Sequence, residues 1–148
     1  MTIYLGADHR GYELKEKIKQ YLLDKNYQVI DLGNNQYDAG DDYPDFAKLV
    51  GEKISVNSDI DRGILVCGSG IGMVIAANKF KGVRAGTVNA TQHAQMARND
   101  EDVNVIGISA DFVNLDAARD IVDAFLTTPF SLEERHRRRV DKIREIDK

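Results

Sequence analysis

Tryptophan is absent from this 148-residue chain, proline occurs twice and cysteine once. With Cys67 alone, neither an intrachain disulfide nor a zinc site of several thiolates can form. No apolar run approaches the roughly 20 residues that cross a bilayer, which excludes a membrane-spanning helix and any membrane partner of that kind. The first 15 residues turn polar after Leu5 and lack the apolar core of a signal peptide, so the expected compartment is the cytoplasm. A large excess of one charge is also missing. Twenty Lys and Arg stand against 24 Asp and Glu, a net charge of −4, which does not favour a nucleic-acid partner. Repeats, low-complexity tracts and Pro/Gly-rich linkers do not occur, so residues 1–148 read as a single domain. Its composition, 43% hydrophobic and 30% charged, is that of a globular chain able to bury a core without covalent staples.

What is present is an alternation of short apolar runs and amphipathic stretches. Ile3-Tyr4-Leu5 predicts a first strand, followed by a helix over 11–25 with Leu14, Ile18, Tyr21 and Leu22 at helical spacing. A second strand spans 29–32. Pro44 suits the first turn of a helix carrying Phe46, Leu49, Val50 and Ile54. Ile64-Leu65-Val66-Cys67 predicts a buried third strand that runs into a glycine loop and a helix reaching 77. A fourth strand over 83–88, a short helix over 91–98, a fifth strand over 103–108 and a helix over 115–126 follow. Ser131 and Glu134 have capping-box spacing and would open a last helix through 146. This order predicts an α/β fold, a doubly wound, Rossmann-like three-layer sandwich around a mainly parallel sheet of about five strands. Ligands of such sheets bind beyond the carboxyl ends of the strands.

Three segments carry candidate chemistry, and each also has a plainer reading. In Cys67-Gly68-Ser69-Gly70-Ile71-Gly72-Met73, the glycines at a helix mouth let backbone N–H groups converge on an anion, and a helix N-terminus favours a thiolate. The same residues also make a tight strand–helix turn with a packed cysteine. In Gly6-Ala7-Asp8-His9-Arg10-Gly11, Asp8 and His9 stand where a substrate would be gripped, although a helix cap explains Asp8 equally well. Arg135 and Arg139 lie four apart on one helical face, the spacing for a phosphate clamp or for a solvated, ion-paired surface. Asp31 ends the second strand as a ribose-binding acid would, but no GxGxxG precedes it. His93 has no partner at ligand spacing, and no metal is expected.

Taken together and in order, these segments resemble the ribose-5-phosphate isomerase type B / galactose-6-phosphate isomerase family. The likeness covers nearly the whole chain. It rests on Gly6-x-Asp8-His9-x-Gly11, Val29-Ile30-Asp31-x-Gly33, Asp42-Tyr43-Pro44, the run from Gly63 to Met73, Ala76-Ala77-Asn78-Lys79, Gly82-Val83-Arg84-Ala85, and Arg135-His136-x-x-Arg139-Val140. The resemblance implies an aldose–ketose isomerase of a sugar phosphate that works through an enediolate without metal or cofactor. It implies a homodimer or dimer of dimers with shared sites, the last helix from about 132 reaching a neighbouring subunit. Cys67 would be the base at C2. Asp8 and His9 would bind substrate, and the backbone of Gly68, Ser69, Gly70, Ile71 and Gly72 would hold the enediolate oxygen, with the Ser69 hydroxyl nearby. Arg135 and Arg139 would hold the phosphate.

Three positions depart from the family pattern. Asp100 and Glu101 stand where a His-Asn pair is common, the His opening the sugar ring; Asp100 is a candidate acid/base there and Glu101 a candidate substrate contact, and the ring-opening residue stays open. Asp111 replaces an arginine that commonly binds phosphate, and Val88-Asn89 replaces a polar pair. These departures leave open a galactose-6-phosphate or other hexose-phosphate isomerase, an unphosphorylated sugar, and a non-catalytic sugar-phosphate-binding or partner subunit. A nucleotide- or flavin-binding module of similar topology is a third class.

Overall fold

The computed structural model describes residues 1–147. Strands β1 (Ile3–Ala7), β2 (Val29–Asp31), β3 (Arg62–Cys67), β4 (Ala85–Thr87) and β5 (Val105–Ser109) alternate with helices α1 (Tyr12–Asp24), α2 (Tyr43–Val56), α3 (Gly72–Ala77), α4 (Thr91–Glu101) and α5 (Leu115–Thr127), and α6 (Glu134–Ile146) follows. All four strand pairings are parallel, in the order β2-β1-β3-β5-β4. This is the doubly wound sheet that the alternation predicts. Among the described residues, no helix is long and apolar enough to cross a membrane.

The period-two alternation of β3 divides the core between the two faces of the sheet. Ile64 and Val66 point to the side of α1, α4 and α5, where Ile18, Leu22, Ile121, Val122 and Phe125 are fully buried. Leu65 and Cys67 point to the side of α2 and α3, against Ala47, Val50, Ile54, Met73 and Ala77. Each large aliphatic side chain withdrawn from water contributes about 1.5–3 kcal/mol, so both faces hold the layers together. The same alternation sends Cys67 toward α2 and α3 at the open end of its strand.

Several boundaries differ from the sequence expectation. β1 continues through Gly6 and Ala7 because these residues pair with Leu65 and Val66 of β3. β4 shortens to three residues. Leu49 is exposed, since α2 turns Ala47, Val50, Gly51 and Ile54 inward instead. α4 runs on to Glu101 and stops at Asp102, which has φ 48° and whose carboxylate binds Arg84 and Arg98. Asp100 and Glu101 therefore belong to the last helical turn, not to a loop. The capping box at the last helix does not form. Leu132 takes φ 58°, which carries Ser131 off the helix start, and its hydroxyl meets His136 Nδ1 at 2.6 Å.

Asp31 has a structural task. Lys15 is fully buried, and its ammonium donates to both Asp31 oxygens at 2.8 and 2.7 Å and to the Asn34 carbonyl at 2.7 Å. Lys19 donates to the same carboxylate at 2.7 Å. Burial pushes the Asp31 pKa up, but the two ammoniums and the Gly33 N–H outweigh it and hold the group below the usual carboxylate range. Its stabilisation is therefore complete above the unfolded-state pKa and is lost as pH falls through the lowered folded value. Asp31→Ala is expected to lower unfolding free energy by about 3 kcal/mol at neutral pH, because the Lys15 charge stays buried without its main partner. Urea titrations should show that difference shrinking in acid below pH ~4; an equal loss at every pH would contradict the assignment.

Candidate active site

The strand order reverses on either side of β1 and β3: β1 connects outward to β2, while β3 leads toward β4 and β5. A doubly wound sheet opens a crevice at the carboxyl ends of such a pair. Here Gly11 brings the walls together. A Cβ on Gly11 would lie 2.0 Å from the Val66 carbonyl oxygen, so only glycine lets the β1–α1 turn rest on the end of β3. The result is a cavity of about 490 Å³ between three segments: Asp8, His9 and Arg10 after β1; Asp41, Asp42 and Tyr43 before and at the start of α2; and Cys67, Gly68, Ser69, Ile71 and Gly72 at and after the end of β3.

Cys67 is only 3% exposed, yet it lines this cavity. The Gly70 N–H donates to its sulfur at 3.2 Å. Gly70 takes φ +72°, a conformation that costs an L side chain about 1–2 kcal/mol. The loop is anchored by its carbonyls: Gly68 O accepts from Ser109 Oγ at 2.6 Å, and Gly70 O accepts from Thr87 Oγ1 at 2.8 Å. Those bonds turn carbonyl oxygens toward β4 and β5 and keep one amide on the sulfur. Ser69 Oγ accepts from the Ile71 N–H at 3.2 Å.

Asp8 is buried, and one of its oxygens accepts from the N–H groups of Arg10 and Gly11, both at 3.0 Å. The turn-capping reading thus holds, and the second oxygen is left for a ligand in the same cavity. His9 is held by a residue that sequence reasoning missed. Asp41 Oδ1 lies 2.7 Å from His9 Nδ1 and accepts the His9 N–H at 3.0 Å, while Asn34 donates to Asp41 Oδ2 at 3.3 Å. Burial raises the Asp41 pKa, but the His9 backbone and ring and the Asn34 amide more than offset it, so the carboxylate is held below its ordinary range. With Nδ1 engaged, Nε2 is the ring nitrogen that remains for substrate. No motif marked Asp41; it is one acid among several in the polar stretch 38–45.

Four predicted site residues are not brought to Cys67 within one chain. Asp100 and Glu101 border a separate cavity of about 240 Å³ with Thr87, His93 and Met96. Asp100 accepts from the Asn99 amide at 2.7 Å and lies 3.8 Å from His136 Nε2. Arg135 is exposed and pairs with Glu133 at 2.9 Å, and Arg139 projects from the exposed side of α6. Asp111 forms an ion pair with Arg10, so its charge is balanced within the chain.

A thiol held by an amide donor, and an imidazole oriented by a carboxylate, suit acid–base chemistry on a small polar molecule rather than tight cofactor binding. The family described as Ribose/Galactose Isomerase matches residues 3–143, and the chain belongs to it. It is accordingly an enzyme of the isomerase class. Ribose-5-phosphate isomerase B of Mycobacterium tuberculosis is 42% identical over 148 residues, covering 100% of this chain and 91% of the relative. The crystal structure of ribose-5-phosphate isomerase B from Mycoplasma genitalium with bound ribulose-5-phosphate superposes with a TM-score of 0.95 at 46% identity, over 98% of this chain and 95% of that one. Clostridium thermocellum ribose-5-phosphate isomerase B gives a TM-score of 0.93 at 42% identity, over 99% and 97% of the two chains.

Gly70→Ala is expected to lower stability by about 1–2 kcal/mol, from the strained φ and a 3.0 Å contact with the Ile108 carbonyl carbon. Thermal unfolding checks this. A variant as stable as the parent would show that the loop does not depend on this conformation.

Proposed function

We propose that the chain interconverts ribose 5-phosphate and ribulose 5-phosphate through an enediolate, with Cys67 as the base. The observation that carries this reading is the Cys67 sulfur at the cavity wall with the Gly70 N–H directed at it. A hydrogen bond donated to sulfur favours the thiolate, which is the form that accepts a proton. The thiolate removes the C2 proton of the open-chain aldose, and electrons move onto O1. The enediolate oxygen is stabilised by amides of the 68–72 loop, of which those of Gly70 and Ile71 already donate to Cys67 and Ser69 and those of Gly68, Ser69 and Gly72 are left to donate, an effect worth a few kcal/mol per donor. The Ser69 hydroxyl hydrogen-bonds nearby. A proton passes from O2 to O1, Cys67 returns its proton to C1, and the ketose results. Asp8 and His9 bind the sugar, with Asp41 holding the ring of His9 in place.

The working unit in this proposal is a homodimer or a dimer of dimers. Arg135, Arg139, Asp100 and Glu101 lie outside the Cys67 cavity of their own chain, so they serve the site of a neighbour, with the arginines on the phosphate and Asp100 opening the ring. Exposed apolar side chains support a buried contact there: Ile71 and Ile75 lie one turn apart at α3, Met96 stands on α4, and Phe112 is 81% exposed. A cytoplasmic setting keeps the single thiol reduced.

Cys67→Ala should abolish exchange of the C2 proton with deuterated solvent while circular dichroism shows an intact fold; retained exchange removes Cys67 from the mechanism. If ribose 5-phosphate is inert and a hexose 6-phosphate is turned over, the substrate assignment moves to the hexose. Sharing of sites has its own check. Mixing Cys67→Ala with Arg139→Ala subunits should restore about a quarter of parental activity, since half the dimers would be mixed and each would hold one whole site. No recovery would mean that each chain uses its own Arg139.

A further inference from the structure

We infer that Arg10 is a phosphate-binding and specificity-determining residue of the proposed isomerase, and that Asp111 is its positioning residue. This rests on the reading of the Cys67 cavity as a sugar-phosphate site. The cavity wall is rich in negative charge, with Asp8, Asp41 and Asp42 all lining it. A dianionic substrate entering there needs a compensating cation from the same wall. Arg10 is the one Lys or Arg among the described residues lining this cavity. His9 is already engaged by Asp41 through Nδ1.

The placement of Arg10 is specific. Its guanidinium lies against Gly68: a Cβ there would meet its Cζ at 2.4 Å and its Nε and Nη1 at 2.6 Å. Gly68 is therefore the space into which Arg10 folds, directly beside Cys67. One end of the fork, Nη2, is taken by Asp111, which sits across the crevice after β5. Asp111 is itself fixed, since its N–H donates to the Gly68 carbonyl at 3.1 Å. The guanidinium has five donors, and a single carboxylate oxygen occupies only one edge. Nη2 carries two hydrogens, and the one that Asp111 does not take leaves a second edge of the fork, shared with Nε or Nη1, from which a phosphate would accept a paired contact. A carboxylate at position 111 would repel phosphate if it stood alone. Paired to Arg10, it serves instead to hold a flexible, half-exposed cation in one rotamer over the loop.

The test uses full-length protein and two readouts. Steady-state kinetics with ribose 5-phosphate would compare the parent with Arg10→Gln, Arg10→Lys, Asp111→Ala and the Arg10→Gln/Asp111→Ala double variant. Calorimetric titration with inorganic phosphate would measure anion affinity without turnover. Arg10→Gln should raise KM and weaken phosphate binding roughly 10-fold or more, with kcat nearly unchanged. Arg10→Lys should recover part of that loss. Asp111→Ala should raise KM by less, and the double variant should be no worse than Arg10→Gln, because Asp111 acts through Arg10. Unchanged KM and phosphate affinity in Arg10→Gln would overturn the proposal. A lower KM in Asp111→Ala, or additive losses in the double variant, would overturn the positioning role. If the parent binds phosphate in an Arg10-dependent way yet isomerises no sugar phosphate, the isomerase reading fails while the anion site stands.

Discussion

The contact on which this structure depends is the approach of the β1–α1 turn to the end of β3. Gly11 touches the Val66 carbonyl with no room for a side chain, and the parallel register of Gly6 with Leu65 and Ala7 with Val66 sets the height at which it does so. Because of that contact, the Asp8–His9–Arg10 segment and the Cys67 loop face each other across one crevice. The fold supplies this geometry through parallel strands whose carboxyl ends lie side by side, and the site residues are mounted on those ends.

Several charged groups at the crevice are held in place before any ligand arrives. Asp41 holds His9, Asp111 holds Arg10, and one oxygen of Asp8 accepts from two backbone amides. The same scheme operates in the scaffold, where Asp31 accepts from Lys15 and Lys19, and Asp102 from Arg84 and Arg98. Such preorganisation lowers the reorganisation needed when charge develops on a substrate oxygen. Cys67 differs from these groups: its sulfur receives one amide hydrogen bond and is otherwise left at the cavity wall.

Much of the fold was legible because hydrophobic period reports directly on local structure. The continuous apolar run Ile64-Leu65-Val66-Cys67 predicts a buried strand, and the helical spacing of Ile18, Leu22, Ile121 and Phe125 predicts both element type and buried face. Element ends were less legible. Asp102 halts α4 through a left-handed backbone and two arginine partners, which no local pattern reveals. Ser131 had the spacing of a cap but bonds to His136 instead, because Leu132 redirects the chain. Within the site, Cys67 ends β3 as expected and Asp8 and His9 follow β1, so their convergence at the carboxyl end of the sheet could be expected. Asp41 could not be singled out, since its role depends on where a polar loop folds back.

By itself, the sequence determined the alternation of strands and helices, the faces that enter the core, and the residues at strand ends where ligands bind such sheets. These are short-range consequences of period and of glycine placement. Only the tertiary structure decided which charges meet. Arg10 and Asp111 are 101 residues apart and His9 and Asp41 are 32 apart, and nothing in the spacing of either pair favours contact. Their meeting is set by the order of strands in the sheet, which brings the ends of β1, β3 and β5 side by side. The physical reason is that side-chain period is a property of a few neighbouring residues, whereas an ion pair across a crevice is a property of how the whole chain closes on itself.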